Sequence, residues 1–458
     1  MASSEPFDLR IDGGLVVGPA GPPRVASVGL RAGRIAAVGE LDGHPADETV
    51  DAGGLAVLPG VIDTHVHLGF TDEAREWHTE SRAALVGGVT TMCVYYRNAG
   101  EYDELLPGFI AAGERDSLAD FVVHLGILHD GHLERLGDHV ARYGLRTIKM
   151  YTTYKRGELS SFGAMGQDDG FILDVMRAVA ELGGVRVHVH CENDDIAERG
   201  GRRWRDEGTP GAQWSRTRPP VAEVEAIRRI ALLARTAGAP VFIPHVSSEA
   251  ALDAALAERA AGTDLRCETC PQYLASARLD RPDHLAKVNP PVRVEESGER
   301  LWAALRSGDI DVVGTDHACW TRADKTAPNV LEARPGFPGM GTLLPVLLDG
   351  VNRGALTLGD VAAAQLRAAE LLGLGERGAV APGHAADLVL VDMAREREVN
   401  STDLQGLSDF TPYEGLTLRG WPVLTVKGGR VAVRDGRLEE DAPRGAYLRD
   451  HEGSATER

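Results

Sequence analysis

Six side chains able to bind a metal or move a proton stand at the ends of apolar, β-branched stretches. VLPGVIDTHVHL (57–68) closes on His65 and His67. LRTIKMY holds Lys149, VRVHVHCE holds His190, PVFIPHVS holds His245 and IDVVGTDH holds Asp316. In a strand, residues i and i+2 face the same way. The rings of His65 and His67 therefore converge, while Val66 between them points into packing. Neutral imidazole is a ligand suited to zinc and its neighbours. A lone HxH pair says little, but four histidines, a lysine and an aspartate at successive strand ends say much more.

Four imidazoles and a carboxylate exceed what one zinc ion takes. They point to two divalent ions with a bridging anion, the ions roughly 3.5–4 Å apart. Lys149 supplies that anion if its neutral amine takes up carbon dioxide to form a carbamate. The apolar neighbours of Lys149 in TIKMY favour the neutral amine, because desolvation disfavours the ammonium. Between two metals, solvent becomes hydroxide near neutral pH. Asp316 is expected to take its proton as it attacks a carbonyl, then to pass the proton to the leaving nitrogen. Tyr154, five residues after Lys149 in KMYTTYK, is expected to hydrogen-bond the resulting oxyanion from a loop over the mouth. His317 and His188 read as supporting or packing residues. His124, His129, His132 and His139 have no consistent spacing and read as non-catalytic.

These residues need a scaffold that brings strand ends together. From 57 onward, eight apolar strands alternate with helical stretches such as 170–183, 221–238 and 248–262. Eight strand–helix units predict an α/β fold, a (β/α)8 TIM barrel, whose working residues sit at the C-terminal strand ends. Residues 7–57 read as a small antiparallel sheet of three segments. The strand-like character returns at 386–393 and 421–436. The expected organisation is a barrel over 57–375, a small β-sandwich domain from 1–56 and 376–446, and a flexible tail over 447–458.

The 458 residues carry a net charge of −19, which argues against a nucleic-acid backbone as partner. No apolar run approaches the ~20 residues of a membrane span, and the N-terminus lacks the pattern of a signal peptide. Five cysteines, odd in number, make no disulfide framework, so a reducing cytoplasm is the expected compartment. Cys267 and Cys270 form a CxxC read as buried core within one strand.

The stretches PGVIDTHVHL, IKMYTTYK, VHCEN, PHVSS, ETCPQYL, NPPVR, GTDH and TPYEG together resemble the amidohydrolase superfamily. The likeness is to its cyclic amidase branch: hydantoinase, dihydropyrimidinase, allantoinase and dihydroorotase. It runs through nearly the whole chain and implies the same barrel-plus-sandwich fold. It also implies that His65, His67 and Asp316 bind one metal, His190 and His245 the other, and that Lys149, as N6-carboxylysine, bridges them. Zinc is the first choice, with manganese, cobalt, nickel or iron as alternatives.

Dihydroorotases resemble one another in an arginine just after the HxH, where this chain has Leu68, Gly69 and Phe70. Tyr154 is similar to the tyrosine of hydantoinases and dihydropyrimidinases. Asn289 in VNPPVR, and PGFPGMGTLLP (335–345), look closer to dihydroorotases and allantoinases. Asn289 is expected to bind the ring amide through its backbone, with a second partner within 336–341. The loops 69–77, 95–100 and 154–161 match no subfamily. The resemblance thus implies hydrolysis of a small cyclic amide or ureide, of 5-substituted hydantoin or dihydropyrimidine type. Allantoinase or another cyclic imide or ureide hydrolase is the alternative, and a metal-free dihydropyrimidinase-like scaffold a lesser one. A homotetramer or homodimer is implied as well.

Overall fold

The protein is seen in a computed structural model that describes residues 5–155, 166–205, 214–279, 284–296, 298–328 and 330–449. Most of the loop 154–161, and residues 450–458 of the expected tail, lie outside the described residues.

Parallel strands pair in chain order: Val61–His67, Val89–Tyr96, Asp120–Gly126, Thr147–Tyr151, Arg186–His190, Val241–Ile243 and Leu265–Thr269. The eighth is broken into Val312–Val313, which pairs with the seventh, and His317–Ala318, which pairs with the first at Val66 and His67. The break therefore closes the barrel, and the (β/α)8 expectation holds. IDVVGTDH is not one continuous strand, because Gly314–Asp316 leaves the ladder between its two halves. Gly314 is required there: a Cβ would sit 2.7 Å from His65 Cβ and closer still to the Glu268 carboxylate.

The helices form where the sequence places caps before apolar periodicity. Asp168 accepts from the Phe171 N–H at 2.8 Å and opens Asp169–Leu182. Ser248 opens Glu249–Ala260, and a Thr357/Asp360 capping box opens Leu358–Leu371. Helix Pro220–Ala237 begins on proline, whose missing N–H costs nothing at that position. Ile172, Val175, Met176 and Val179 from one helix, and Ala226, Ile227 and Ile230 from the next, are fully buried in the main core. Each large apolar side chain so buried contributes roughly 1.5–3 kcal/mol.

A second nine-stranded sheet, from both chain ends, forms the β-sandwich part. It is not wholly antiparallel. Phe7–Val16 pairs in parallel with Ala46–Asp51 and Ala56–Pro59, and antiparallel with Arg24–Arg31. The stretch 57–67 also divides. Ala56–Pro59 joins this sheet against Leu388–Glu398, and after Gly60 the chain enters the barrel at Val61. Ile11, Val28, Val57, Leu388, Leu390 and Val426 fill its separate core.

The described beginning of the expected tail is docked. Ala446 O accepts from Phe121 N at 3.0 Å and Leu448 N donates to Phe121 O at 2.8 Å, so 446–448 runs along the third barrel strand. All five cysteines are buried and free, with Cys270 one residue beyond the seventh strand rather than within it. Among the described residues, no helix is long and apolar enough to cross a membrane.

Candidate metal centre

The first barrel strand is buried up to its last residue and carries Asp63, His65 and His67, with a register shift against the second strand between Asp63 and Val66. The rings of His65 and His67 stand 5.2 Å apart between centroids. Asp316 Oδ1 lies 3.2 Å from His65 Nε2 and 3.1 Å from His67 Nε2. One ligand atom from each of the three falls within 4.8 Å of the others, a grouping that can hold a divalent ion. His65 Nε2 is buried and makes no hydrogen bond despite that approach. Two acceptors and a carboxylate aimed at one point fit a cation between them.

The same cavity is lined by His190 and His245, whose ring centroids are 4.6 Å apart, with His245 5.2 Å from His65. Burial lowers the proton affinity of all four rings, His67 to about 4 and His65 and His245 well below their usual value. They are therefore neutral at physiological pH, the form that ligates metal.

Lys149 is 1% exposed, and its Nζ has no hydrogen-bond partner. It stands 4.5 Å from the centre of the Tyr95 ring. Burial pulls the ammonium down from its ordinary value, against the pull of Asp316 and Glu268. An unbonded lysine head sunk among imidazoles is costly unless its chemistry changes.

Tyr154 and Asn289, the two expected substrate contacts, meet each other: Asn289 Nδ2 donates to Tyr154 Oη at 3.4 Å. All eight candidate residues line this one cavity at the C-terminal mouth, together with Phe70, Arg97, Tyr151 and Gly336. Tyr154, His245 and Asp316 have φ of +67°, +44° and +54°. Such left-handed backbone at non-glycine residues costs on the order of 1–3 kcal/mol each and tends to cluster at working sites.

Several residues that hold this geometry were not singled out from the sequence. Glu268 Oε1 bonds His65 Nδ1 at 2.9 Å and accepts from the His245 N–H at 3.2 Å, while Oε2 accepts from the Thr64 hydroxyl. Burial pushes this carboxyl up. Glu192 pairs with His190 Nε2 at 2.8 Å and with two nitrogens of Arg218, each at 2.8 Å. Burial alone would raise Glu192; Arg218 and His190 outweigh it and hold the carboxyl at about 2. Asp63 accepts from the Thr315 N–H and hydroxyl, and burial raises its carboxyl to about 6. One signal was legible: Asp63 and Glu192 each stand two residues from a singled-out histidine, His65 and His190, and a buried carboxylate needs partners.

The other histidines sit apart from the cavity lining. His188 Nδ1 bonds Tyr95 Oη at 2.6 Å and its ring stacks on Phe242. His317 Nε2 faces Glu80 at 3.1 Å. His124 approaches the Thr64 carbonyl at 3.3 Å. A larger cavity of about 520 Å³ opens at the opposite barrel end among Arg146, Arg186, Asp264, Arg266 and Asp311. Its described lining holds no histidine, lysine or cysteine, and its charges include the pairs Arg186–Asp264 and Arg266–Asp311, both at 2.9 Å.

Comparison with known proteins identifies the family. The chain is 35% identical to an allantoinase of Rubrobacter xylanophilus, over 97% of this chain and 98% of that protein. It is 30% identical to a D-hydantoinase of Ralstonia pickettii, over 97% and 99%. The crystal structure of dihydropyrimidinase from Brevibacillus agri superposes with a TM-score of 0.88 at 27% identity, covering 96% of this chain and 98% of that one. Residues 56–432 match the amidohydrolase family. The chain belongs to the amidohydrolase family.

Proposed function

We propose that this cyclic amidohydrolase opens a ring –CO–NH–CO– unit at one amide, on a 5-substituted hydantoin or a dihydropyrimidine. The observation that carries the reading is Lys149, buried and without a hydrogen-bond partner at its Nζ amid four neutral histidines and Asp316. In its neutral form the amine would take up carbon dioxide, lose a proton and become a carbamate. Its two oxygens would then face the two halves of the cluster. His65, His67 and Asp316 would hold one divalent ion, zinc before manganese, cobalt, nickel or iron, and His190 and His245 a second. Bound there, the ions would lower the pKa of water and polarise the ring carbonyl.

Asp316 would accept the proton of the attacking water and return it to the leaving nitrogen. The Tyr154 phenol would donate a hydrogen bond to the carbonyl oxygen as negative charge builds on it. Asn289 would orient the ring amide. We also infer a cytoplasmic homo-oligomer, a dimer or tetramer, from the family resemblance; sedimentation of the full chain tests the assembly.

The test is ring-opening of dihydrouracil, a 5-substituted hydantoin and allantoin by protein expressed with zinc or manganese and bicarbonate. Turnover lost in Lys149→Ala supports the reading, and a Lys149→Ala variant with full metal content and activity refutes it. A second reading, allantoin as substrate, is favoured by the higher identity to an allantoinase than to a D-hydantoinase, 35% against 30%. Allantoin turnover well above that of hydantoins would select it.

A further inference from the structure

We propose that Gln272 and Tyr273 are positioning residues of this site: Gln272 sets the aim of Asp316, and Tyr273 sets the place of Asn289. The inference deepens the cyclic-amide reading and rests on it for what Asp316 and Asn289 do.

Both residues belong to one helical turn, Pro271–Leu274, which follows the seventh barrel strand, Leu265–Thr269. Each is buried, and neither is among the residues that line the cavity. The turn is itself tied down: Tyr273 N donates to Cys270 O at 3.0 Å, and Trp302 Nε1 donates to Leu274 O at 2.8 Å. From this base two adjacent side chains reach the two segments that carry Asp316 and Asn289.

Gln272 Nε2 donates to the Thr315 carbonyl at 3.2 Å. Asp63 already takes the N–H and the hydroxyl of Thr315, so Gln272 holds the third polar group of that residue. The Thr315 carbonyl lies in the peptide plane that leads into Asp316, whose φ is +54°. Because φ is a rotation relative to that plane, a donor on the carbonyl fixes the frame from which the Asp316 carboxylate is aimed. Left-handed backbone at a non-glycine residue persists where its surroundings over-determine it. Gln272 Oε1 is buried without a hydrogen-bond partner, an arrangement that works against stability. A methionine of similar length would avoid that cost but could not donate to a carbonyl.

Tyr273 Oη donates to the Pro290 carbonyl at 2.7 Å. Asn289 is followed by Pro290 and Pro291, which have no N–H. The backbone just past Asn289 therefore offers only carbonyls by which it can be held. On the other side, Trp214 Nε1 donates to the Val288 carbonyl at 2.9 Å. Asn289 thus stands between two tied carbonyls, and the donor to one of them shares a helical turn with Gln272. A single rigid piece spaces the proton-transfer group from the ring-binding group.

The test uses the metal-loaded full chain with Gln272→Met and Tyr273→Phe, each of which removes a donor and nearly keeps the volume. Ring-opening of dihydrouracil, 5-methylhydantoin and allantoin is measured per metal-loaded chain, beside calorimetric binding of the same rings and metal retention against a chelator. Gln272→Met is expected to lower kcat ~10-fold or more with KM within ~2-fold, since a misaimed group is felt in the transition state. It should also lose metal at ~10-fold lower chelator concentration, because Asp316 is ligand as well as base. Tyr273→Phe is expected to weaken ring binding and raise KM ~10-fold, with kcat within ~2-fold. Gln272→Leu and Tyr273→Leu replace either variant that does not fold. A merely structural role would lower stability without splitting kcat from KM. Unchanged kinetics, or the same parameter moved by both variants, would overturn the inference and leave the hydrolytic reading standing. Ring binding weakened only by Tyr273→Phe and metal retention weakened only by Gln272→Met, with no ring opened, would uphold the positioning and refute hydrolysis. Binding of no ring by the wild type would overturn both.

Discussion

The carboxylate of Asp63 accepts hydrogen bonds from the backbone N–H and the hydroxyl of Thr315, at 2.9 and 2.6 Å, across 252 residues of sequence. This clamp joins the first barrel strand to the bend in the eighth, and the next residue along that bend is Asp316. With both groups buried, Thr315→Val removes a hydroxyl and leaves one carboxylate oxygen short of a partner. The expected cost is about 1–3 kcal/mol of stability, read from urea unfolding. Because Asp316 loses its support, turnover should fall further than stability alone explains, visible as a drop in kcat in fully folded protein.

Glu268 stands behind His65 and fixes which ring nitrogen faces the cavity. Carboxylates in that position typically account for ~10–100-fold in metal affinity. Glu268→Gln keeps the shape but weakens the grip on the Nδ1 proton. Competition with a chelator should show metal lost at correspondingly lower chelator concentration, with the far-ultraviolet circular dichroism unchanged.

Arg218 and Glu192 form a buried ion pair that also holds His190. Arg218→Met would leave the carboxylate buried and uncompensated, which costs about 3–5 kcal/mol. The double variant Arg218→Met/Glu192→Gln should recover part of that loss. Thermal unfolding of the four proteins in the cycle measures the coupling, and simple additivity would show that the pair acts independently of its geometry.

Gly314 lies where the eighth strand passes His65, with room for no side chain. Gly314→Ala is expected to push the strand away and separate Asp316 from the two histidines. Metal content by elemental analysis should fall together with activity, while the sandwich part, distant from the contact, keeps its strand signature.

Stripping metal with a chelator should lower the midpoint of thermal unfolding, since an ion that binds only the folded chain stabilises it by mass action. If Lys149 takes up carbon dioxide as proposed, reloading in carbon-dioxide-free buffer should recover less activity than reloading with bicarbonate. Equal recovery in the two buffers would argue against the carbamate.

The reach of the sequence follows from the reach of its local rules. Period-two alternation placed His65 beside His67, and apolar runs of strand length placed Lys149, His190, His245 and Asp316 at strand ends. Strand-like character at both termini announced the sandwich. Those features depend on neighbours along the chain, so they were legible without coordinates. The contacts that make the cluster a working geometry join distant segments: Asp63 to Thr315, Glu268 to His65 across 203 residues, and Arg218 to Glu192. No periodicity encodes such partners. They arise only when the barrel closes, and closure depends on the interruption at Gly314–Asp316, which reads in sequence as the interior of a single strand.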